Sequence, residues 1–408
     1  MTPTLRKLSR FAALIMTASI SGQAFHLPAA SPPAVEPVSA GNTAFALDLY
    51  QREKSNAANL FFSPYSISAA LAMTYAGARG QTEQQMARTL HFNLPQADLP
   101  PAFAALTARF DQIDKRIILS VANSLWCERN YRFLDAFLEL NRKFYRAEIR
   151  SVDFATKPED ARKEINAWVE QRTQDKIRDL LPPGQVDSVT RLVLCNAIYF
   201  KGNWVEKFDP KATQPGPFFV ATNQSVQVPM MSRKLKLRSR AFGDFTLFAL
   251  PYAGNDLAMV ILLPEAPYGL GAVEQQLGAT ALREWLAALN QTAETEAQVT
   301  LPKFKLNCRL ELARDLAAMG MPSAFGPEAD FSGMTGSRDL CISSVVHQAF
   351  VDVSEEGTEA AAATAVTMRA LSVMRPLVLR VDHPFLFLIV ERQTGSILFL
   401  GRVTDPTK

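Results

Sequence analysis

The sequence predicts an α+β fold built on large antiparallel or mixed β-sheets. Helical periodicity gathers in the first half, strand-like runs dominate the second, and neither βαβ alternation nor an internal repeat connects them. At 408 residues, size alone favours more than one domain, yet no seam divides the chain past residue 40. With 48% hydrophobic and 20% charged residues, a large core is available and extensive disorder is excluded.

Arg6, Lys7 and Arg10 precede FAALIMTASISG (11–22), and small residues follow at Gly22 and Ala24. A basic start, a short apolar run and a small-residue cut site predict a signal peptide over 1–24, hence an exported chain, extracellular or periplasmic. The run is shorter than the ~20 residues a membrane span needs, so no membrane anchor is expected. Residues 25–40, rich in Pro and Ala, predict a disordered spacer, leaving one domain over 41–408.

From Asn42 the pattern is helical, with Phe45 and Leu49 on one face, then Ile67, Leu71 and Tyr75 at four-residue spacing. Thr82 and Gln85 form a capping-box pattern for the next helix. Leu119, Val121, Asn123 and Leu125 alternate as a strand does. A helix through Phe137, Leu140 and Phe144 follows, then a strand near 147–154. Residues 158–178 predict a surface helix with a narrow apolar stripe, Ile165, Trp168 and Val169. RLVLCNAIYFKGNW (191–204), apolar on both faces, predicts a central strand covered from both sides. Short strands are expected over 217–264, a helix through Leu312, Leu316 and Met319, and a terminal hairpin of FLFLIV and SILFLGRV.

A formal charge of +3 gives no general pull toward nucleic acid. The one dense basic stretch, SRKLKLRSR (232–240), alternates with Leu235 and Leu237 and predicts a solvated strand face. Cys127, Cys195, Cys308 and Cys341 form no C-x-x-C pair, which argues against a zinc ribbon or redox dithiol; Cys195 sits in an apolar run, which favours buried free thiols, while disulfide pairing in an exported chain stays open. The four histidines are His26, His91, His347 and His383, and no nucleophile, metal or phosphate-loop motif accompanies them. Asp382 beside His383 is the nearest thing to a catalytic pair, but strand neighbours point to opposite faces. His347, in the strand-like run VVHQAFV, is expected to be buried and hydrogen-bonded. The chain does not read as an enzyme, and neither a metal nor a cofactor is expected.

EEGTEAAAATAVTMRALS (355–372) is the least decided stretch: alanines favour helix, whereas Gly357 and the threonines at 364 and 367 do not extend it. Together with NLFFSPYSIS (59–68), NAIYFKGNW (196–204), LPKFKL (301–306), DHPFLF (382–387) and GRVTDP (401–406), it resembles the serpins, the serine protease inhibitor family. The motifs stand in family order and span essentially 41–408. The resemblance implies a single domain of three β-sheets and eight or nine α-helices with an exposed reactive-centre loop.

It also implies an inhibitor that traps a serine protease covalently: the protease cleaves the loop, and the severed segment inserts as a strand of the main sheet. The fifteen residues from Gly357 to Leu371 span about 50 Å when extended. In such a strand Thr358, Ala360, Ala362, Thr364, Val366 and Met368 share one face, the small or apolar one. The hinge carried over is Glu355, Glu356, Gly357, Thr358, Glu359, Ala360, Ala361, Ala362 and Ala363. Ser63, Ser66, Asn196 and His347 match the family's shutter, beneath the point where the sheet parts. Trp204 and Lys303 match the breach at its top, with a Lys303–Glu355 ion pair expected. Family spacing from Glu355 places the reactive bond at Leu371–Ser372, which suits chymotrypsin-like enzymes first and elastase-like or cathepsin-G-like enzymes next. Cleavage after Ala370, for elastase-like enzymes, or after Arg369, for trypsin-like ones, stays open. The expected partner is a serine protease in acyl-enzyme linkage to a monomer. The alternative is a non-inhibitory carrier, chaperone or protease substrate.

Overall fold

The computed structural model describes residues 35–55, 59–358 and 377–408. Three sheets carry the fold, with ten α-helices among the described residues. The count exceeds the expected eight or nine because short segments such as Ser332–Thr335 are included.

The main sheet orders its strands Phe304–Glu311, Ser344–Ser354, Gly357–Thr358, Leu192–Asn203, Ile117–Glu128 and Glu148–Val152. It is mixed: Ser344–Ser354 runs parallel to Leu192–Asn203, and Ile117–Glu128 runs antiparallel to it. A second six-stranded sheet contains the terminal hairpin, Phe385–Glu391 and Ile397–Val403, paired antiparallel. A four-stranded sheet runs Leu377–Arg380, Thr295–Pro302, Gln224–Leu237, Gln214–Ala221.

Leu192–Asn203 is central because its sequence is apolar on both faces. Leu192, Leu194, Ile198 and Phe200 join the large core beneath the sheet. Val193, Cys195 and Ala197 face a smaller core above it, with Trp126, Ile165, Trp168 and Val169. The Pro158–Arg172 helix lies over that second core through its apolar stripe; Trp168 meets Trp126 edge-on at 5.9 Å. On the inner side every residue of the Pro64–Tyr75 helix is buried, because its alanines allow close approach to the main and terminal-hairpin sheets. Ser63 caps that helix, its Oγ accepting the Ser66 N–H at 3.1 Å, and Pro64 fills the first helical position.

Several expectations need correction. The first helix is Val35–Glu53, so residues 35–40 are not a spacer. Val35 and Val38 are buried in the core, and Pro37 falls in the first turn, where its missing N–H costs nothing. Thr82 and Gln85 form no capping box: the helix starts at Gly80, and their side chains accept the backbone N–H groups of Asp330 and Ser323. The helix through Phe137 is α-helical over Asp135–Leu140 and widens into a π-turn over Asn141–Tyr145. Asp382 and His383 do meet, Nδ1 lying 2.9 Å from Oδ1, because this segment is not a strand. His383 Nε2 is spent on the Pro264 carbonyl at 2.8 Å, so both ring nitrogens are already engaged.

The basic stretch 232–240 lies in and just after the Gln224–Leu237 strand, its charges engaged locally. Lys234 pairs with Glu296 at 2.9 Å, Arg233 with Glu206 at 2.9 Å, and Arg238 donates to the Thr292 carbonyl at 2.8 Å. All four cysteines are unpaired: Cys127 and Cys195 are buried, Cys308 and Cys341 half-buried.

Candidate functional site

The main sheet is closed at its lower end and split at its upper end. From Ser344–Val193 to Phe350–Tyr199 the two central strands pair directly. Above that point they diverge, and Gly357–Thr358 is seated between them. Thr358 pairs with Val353 on one side and Gly202 on the other, and Gly357 with Ser354 and Asn203.

Gly357 has to be glycine. Its φ is +139°, and a Cβ there would stand 2.1 Å from the Gly202 carbonyl oxygen and 2.6 Å from the Asn203 Cα. Glu355 and Glu356 form the turn into this short strand, and both are anchored. Lys303 Nζ lies 2.8 Å from Glu355 Oε2, and Thr213 Oγ1 donates to Oε1 at 2.8 Å. Lys207 pairs with Glu356. The Glu355 carbonyl accepts the Phe208 N–H at 2.8 Å, and the Glu356 carbonyl accepts the Trp204 N–H at 2.9 Å. Burial alone would raise the Glu355 carboxyl, but hydrogen bonds from Lys303, the backbone and Thr213 outweigh it and hold the group below its ordinary value. The Trp204 ring stacks on Tyr252 at 4.7 Å, and its Nε1–H donates to the Ser354 carbonyl at 3.0 Å.

Lower down, where the strands are still paired, the structure brings Ser63, Ser66, Asn196 and His347 together. Asn196 and His347 are register partners. Asn196 Nδ2 donates to the Ser66 carbonyl at 3.1 Å, so its Oδ1 faces His347 and accepts from Nδ1–H. His347 Nε2 accepts the Ser63 N–H at 3.1 Å. These contacts fix the neutral Nδ1–H tautomer, and burial lowers the imidazole to about 3. Ser63 and Ser66 sit at the start of the buried helix, so one polar cluster ties that helix to both central strands.

Asn123 belongs to this cluster and was not singled out from the sequence. It is in register with Asn196 on the neighbouring strand, its Oδ1 bonds Asn196 Nδ2, and Ser66 Oγ donates to it at 3.4 Å. Its signal was available: it is the one polar residue on a strand face otherwise made of Leu119, Val121 and Leu125. Lys207 and Thr213 gave no such signal. Glu359, Ala360 to Ala363, Leu371 and Ser372 lie outside the described residues. Among the described residues no group of three His, Cys, Asp or Glu side chains could hold a metal ion. No described helix is long and apolar enough to cross a membrane.

Comparison with known proteins is consistent across methods. The family model described as Serpin (serine protease inhibitor) matches residues 40–406. The leukocyte elastase inhibitor of Bos taurus is 45% identical over 380 residues, covering 91% of this chain and 100% of that protein. Serpin B6 of Macaca fascicularis is 43% identical over 371 residues, covering 90% and 98% respectively. The solved structure of human thyroxine-binding globulin complexed with thyroxine superposes with a TM-score of 0.84 at 32% identity, over 92% of this chain and 100% of that one.

These relatives overturn the expected extracellular or periplasmic placement. The whole bovine inhibitor aligns within 91% of this chain, so it has no counterpart of the leader on which export rested. A mixed main sheet split at its top, a glutamate-anchored turn feeding a strand into the split, and a family match over nearly the whole length lead to one assignment: the chain belongs to the serpin family.

Proposed function

We propose that this serpin inhibits elastase-like serine proteases as a suicide substrate. The protease cleaves the loop that follows Thr358, forms an acyl-enzyme, and is carried along as the loop enters the main sheet. One observation carries this reading. Gly357 and Thr358 already occupy the top of a slot whose walls are the Ser344–Ser354 and Leu192–Asn203 strands. Continuing that antiparallel register downward, Glu359 and Ala360 fill the open part of the split, and each loop residue from Ala361 on replaces one pairing between the walls. Thr364 then arrives between His347 and Asn196, on the same side of the sheet as both.

The residues that enter are compatible with this path. Thr358, Ala360, Ala362 and Thr364 turn inward, where small side chains meet the buried helix, while Glu359 turns outward. Hinge residues Glu355 to Ala363 thus act by fitting the slot, Ser63, Ser66, Asn196 and His347 by holding it shut, and Trp204 and Lys303 by fixing its rim. The chemistry belongs to the protease, whose serine supplies the nucleophile and whose oxyanion hole activates the scissile carbonyl. The bond attacked is Leu371–Ser372 in the family spacing from Glu355.

The target class comes from relatives named leukocyte elastase inhibitor. Incubation with leukocyte elastase is expected to yield a complex that survives SDS and boiling, at the summed mass of protease and the N-terminal portion. Mass spectrometry of the released C-terminal peptide is expected to find Ser372 at its amino terminus. A terminus at Leu371 would place Ala370 before the cut, and one at Ala370 would place Arg369 there. Cleavage to two fragments with full recovery of protease activity would make the chain a substrate and end the proposal.

A further inference from the structure

The strand that resumes after the loop, Leu377–Arg380, has an unusual surface. It is an edge strand, paired on one side with Thr295–Pro302. Proteins ordinarily blunt such edges with charge. Here the first two residues are apolar and open: Leu377 is 42% exposed and Val378 64% exposed. Charge appears only at Arg380, which pairs with Asp382 at 2.7 Å.

Leu379 faces the core, so Val378 stands on the outer face of the four-stranded sheet. Its register neighbours there are polar: Gln298 beside it and Lys234 beyond. Gln298 donates to Ser232 at 2.8 Å and Lys234 is paired with Glu296 at 2.9 Å. An apolar knob ringed by polar groups already engaged with one another is the anatomy of an interface centre with a satisfied rim.

Position along the chain identifies the occupant. Five residues separate Ser372 from Leu377 and six separate it from Val378. At about 3.3 Å per residue, Val378 lies within roughly 20 Å of the proposed scissile bond however the intervening chain runs. A standard protein–protein footprint, ~800 Å² per partner, is a disc roughly 30 Å across. Centred on the bond, such a footprint extends roughly 16 Å to each side and takes in Val378 wherever the intervening chain is less than fully extended. We infer that Val378, with Leu377 exposed at the strand's open start on the opposite face, centres a secondary docking surface for the target protease on the primed side of the reactive bond. Contact here raises the association rate and helps select the protease, while loop insertion proceeds independently of it. This inference rests on the reactive-bond position proposed above.

The test uses the full chain and its Val378→Ser and Leu377→Ser variants, whose changes lie at solvent-exposed positions. With leukocyte elastase, the association rate constant is expected to fall about five- to tenfold for Val378→Ser, with the stoichiometry of inhibition unchanged. Binding of an elastase inactivated at its catalytic serine is expected to weaken by the same factor. Equal rates and equal binding across the three proteins overturn the inference, as does a raised stoichiometry at unchanged rate, which would assign these residues to insertion. If the chain proves to be a cleaved substrate, the trap reading fails, yet the ratio of kcat/KM for loop cleavage between wild type and variants still decides the docking claim. Absence of binding and cleavage in all three overturns both. A wild-type dimer that Val378→Glu converts to monomer would assign the edge to a second copy of the chain and overturn the inference as well.

Discussion

His347 and Asn196 are joined by a hydrogen bond across the two paired central strands, and both are also bonded to the start of the helix beneath. The latch is therefore polar, buried and fully partnered, a combination that is costly to leave half-made. Replacing His347 by Ala orphans the Ser63 N–H and Asn196 Oδ1 together. Such a variant is expected to lose about 2–4 kcal/mol of stability, read from denaturant unfolding, and to insert its loop faster after cleavage. Unchanged unfolding would show that the cluster does not hold the sheet.

The same residue predicts a pH dependence. His347 titrates near 6.5 when unfolded but only near 3 in the native sheet. The unfolded chain binds this proton as pH falls through that window and the native chain does not. Its contribution is therefore complete above pH 6.5 and is lost on acidification, with a slope of at most about 1.4 kcal/mol per pH unit. Stability measured from pH 7 to pH 5 is expected to decline in the wild type and to decline less in His347→Gln. Parallel profiles would remove His347 as the cause.

At the rim, Glu355 holds two side-chain partners and is depressed below its ordinary value. Its stabilising effect is present above the ordinary glutamate range and is lost as pH falls through its depressed native value. Glu355→Gln and Lys303→Met are each expected to cost about 1–2 kcal/mol and, being partners, to be non-additive in the double variant. Additive losses would mean that the pair does not act as one contact.

Thr358→Arg and Gly357→Val test the hinge at two levels. Arginine at 358 puts a long charged side chain on the strand that enters the slot first and is expected to convert the inhibitor into a substrate, leaving the cleavage rate unchanged. Valine at 357 cannot take its present seat at all, because its Cβ collides with the Gly202 carbonyl. Titration of elastase activity against each variant reads the stoichiometry of inhibition, and a value equal to wild type in both would contradict the hinge assignment.

Much of this was legible in the chain because the apolar pattern carries it. Leu192–Asn203 reads as central from its two apolar faces, and Ile165, Trp168 and Val169 read as a stripe. Signals that depend on a partner distant in sequence were read wrongly or missed. Val35 and Val38 looked like part of a proline-rich spacer until a core was there to receive them. Thr82 and Gln85 have the spacing of a local cap but spend their oxygens on residues 330 and 323. Asp382 and His383 were set apart by a strand geometry that the chain does not adopt there. The leader pointed to export, and comparison with whole relatives, not the pattern itself, removed that conclusion. Asn123 was visible as an interruption of an apolar row, but its purpose appears only when Asn196 is placed beside it.

Thr364 gives the register its own check. If the loop continues in the pairing that Thr358 starts, the Thr364 hydroxyl lands beside the imidazole and amide that the incoming strand separates, and it can satisfy one of them. Thr364→Val keeps the shape and removes the hydroxyl. It is expected to lower the stability of the cleaved form by about 1–2 kcal/mol while leaving the uncleaved form unaffected. An equal effect on both forms would contradict the register.

Thermal unfolding before and after a single cut in the loop probes the strand-insertion claim most directly. Entry of the severed segment into the sheet is expected to raise Tm, with new hydrogen-exchange protection along residues 359–368. A cleaved chain that melts at or below the temperature of the intact one, with those amides still exchanging freely, would contradict it.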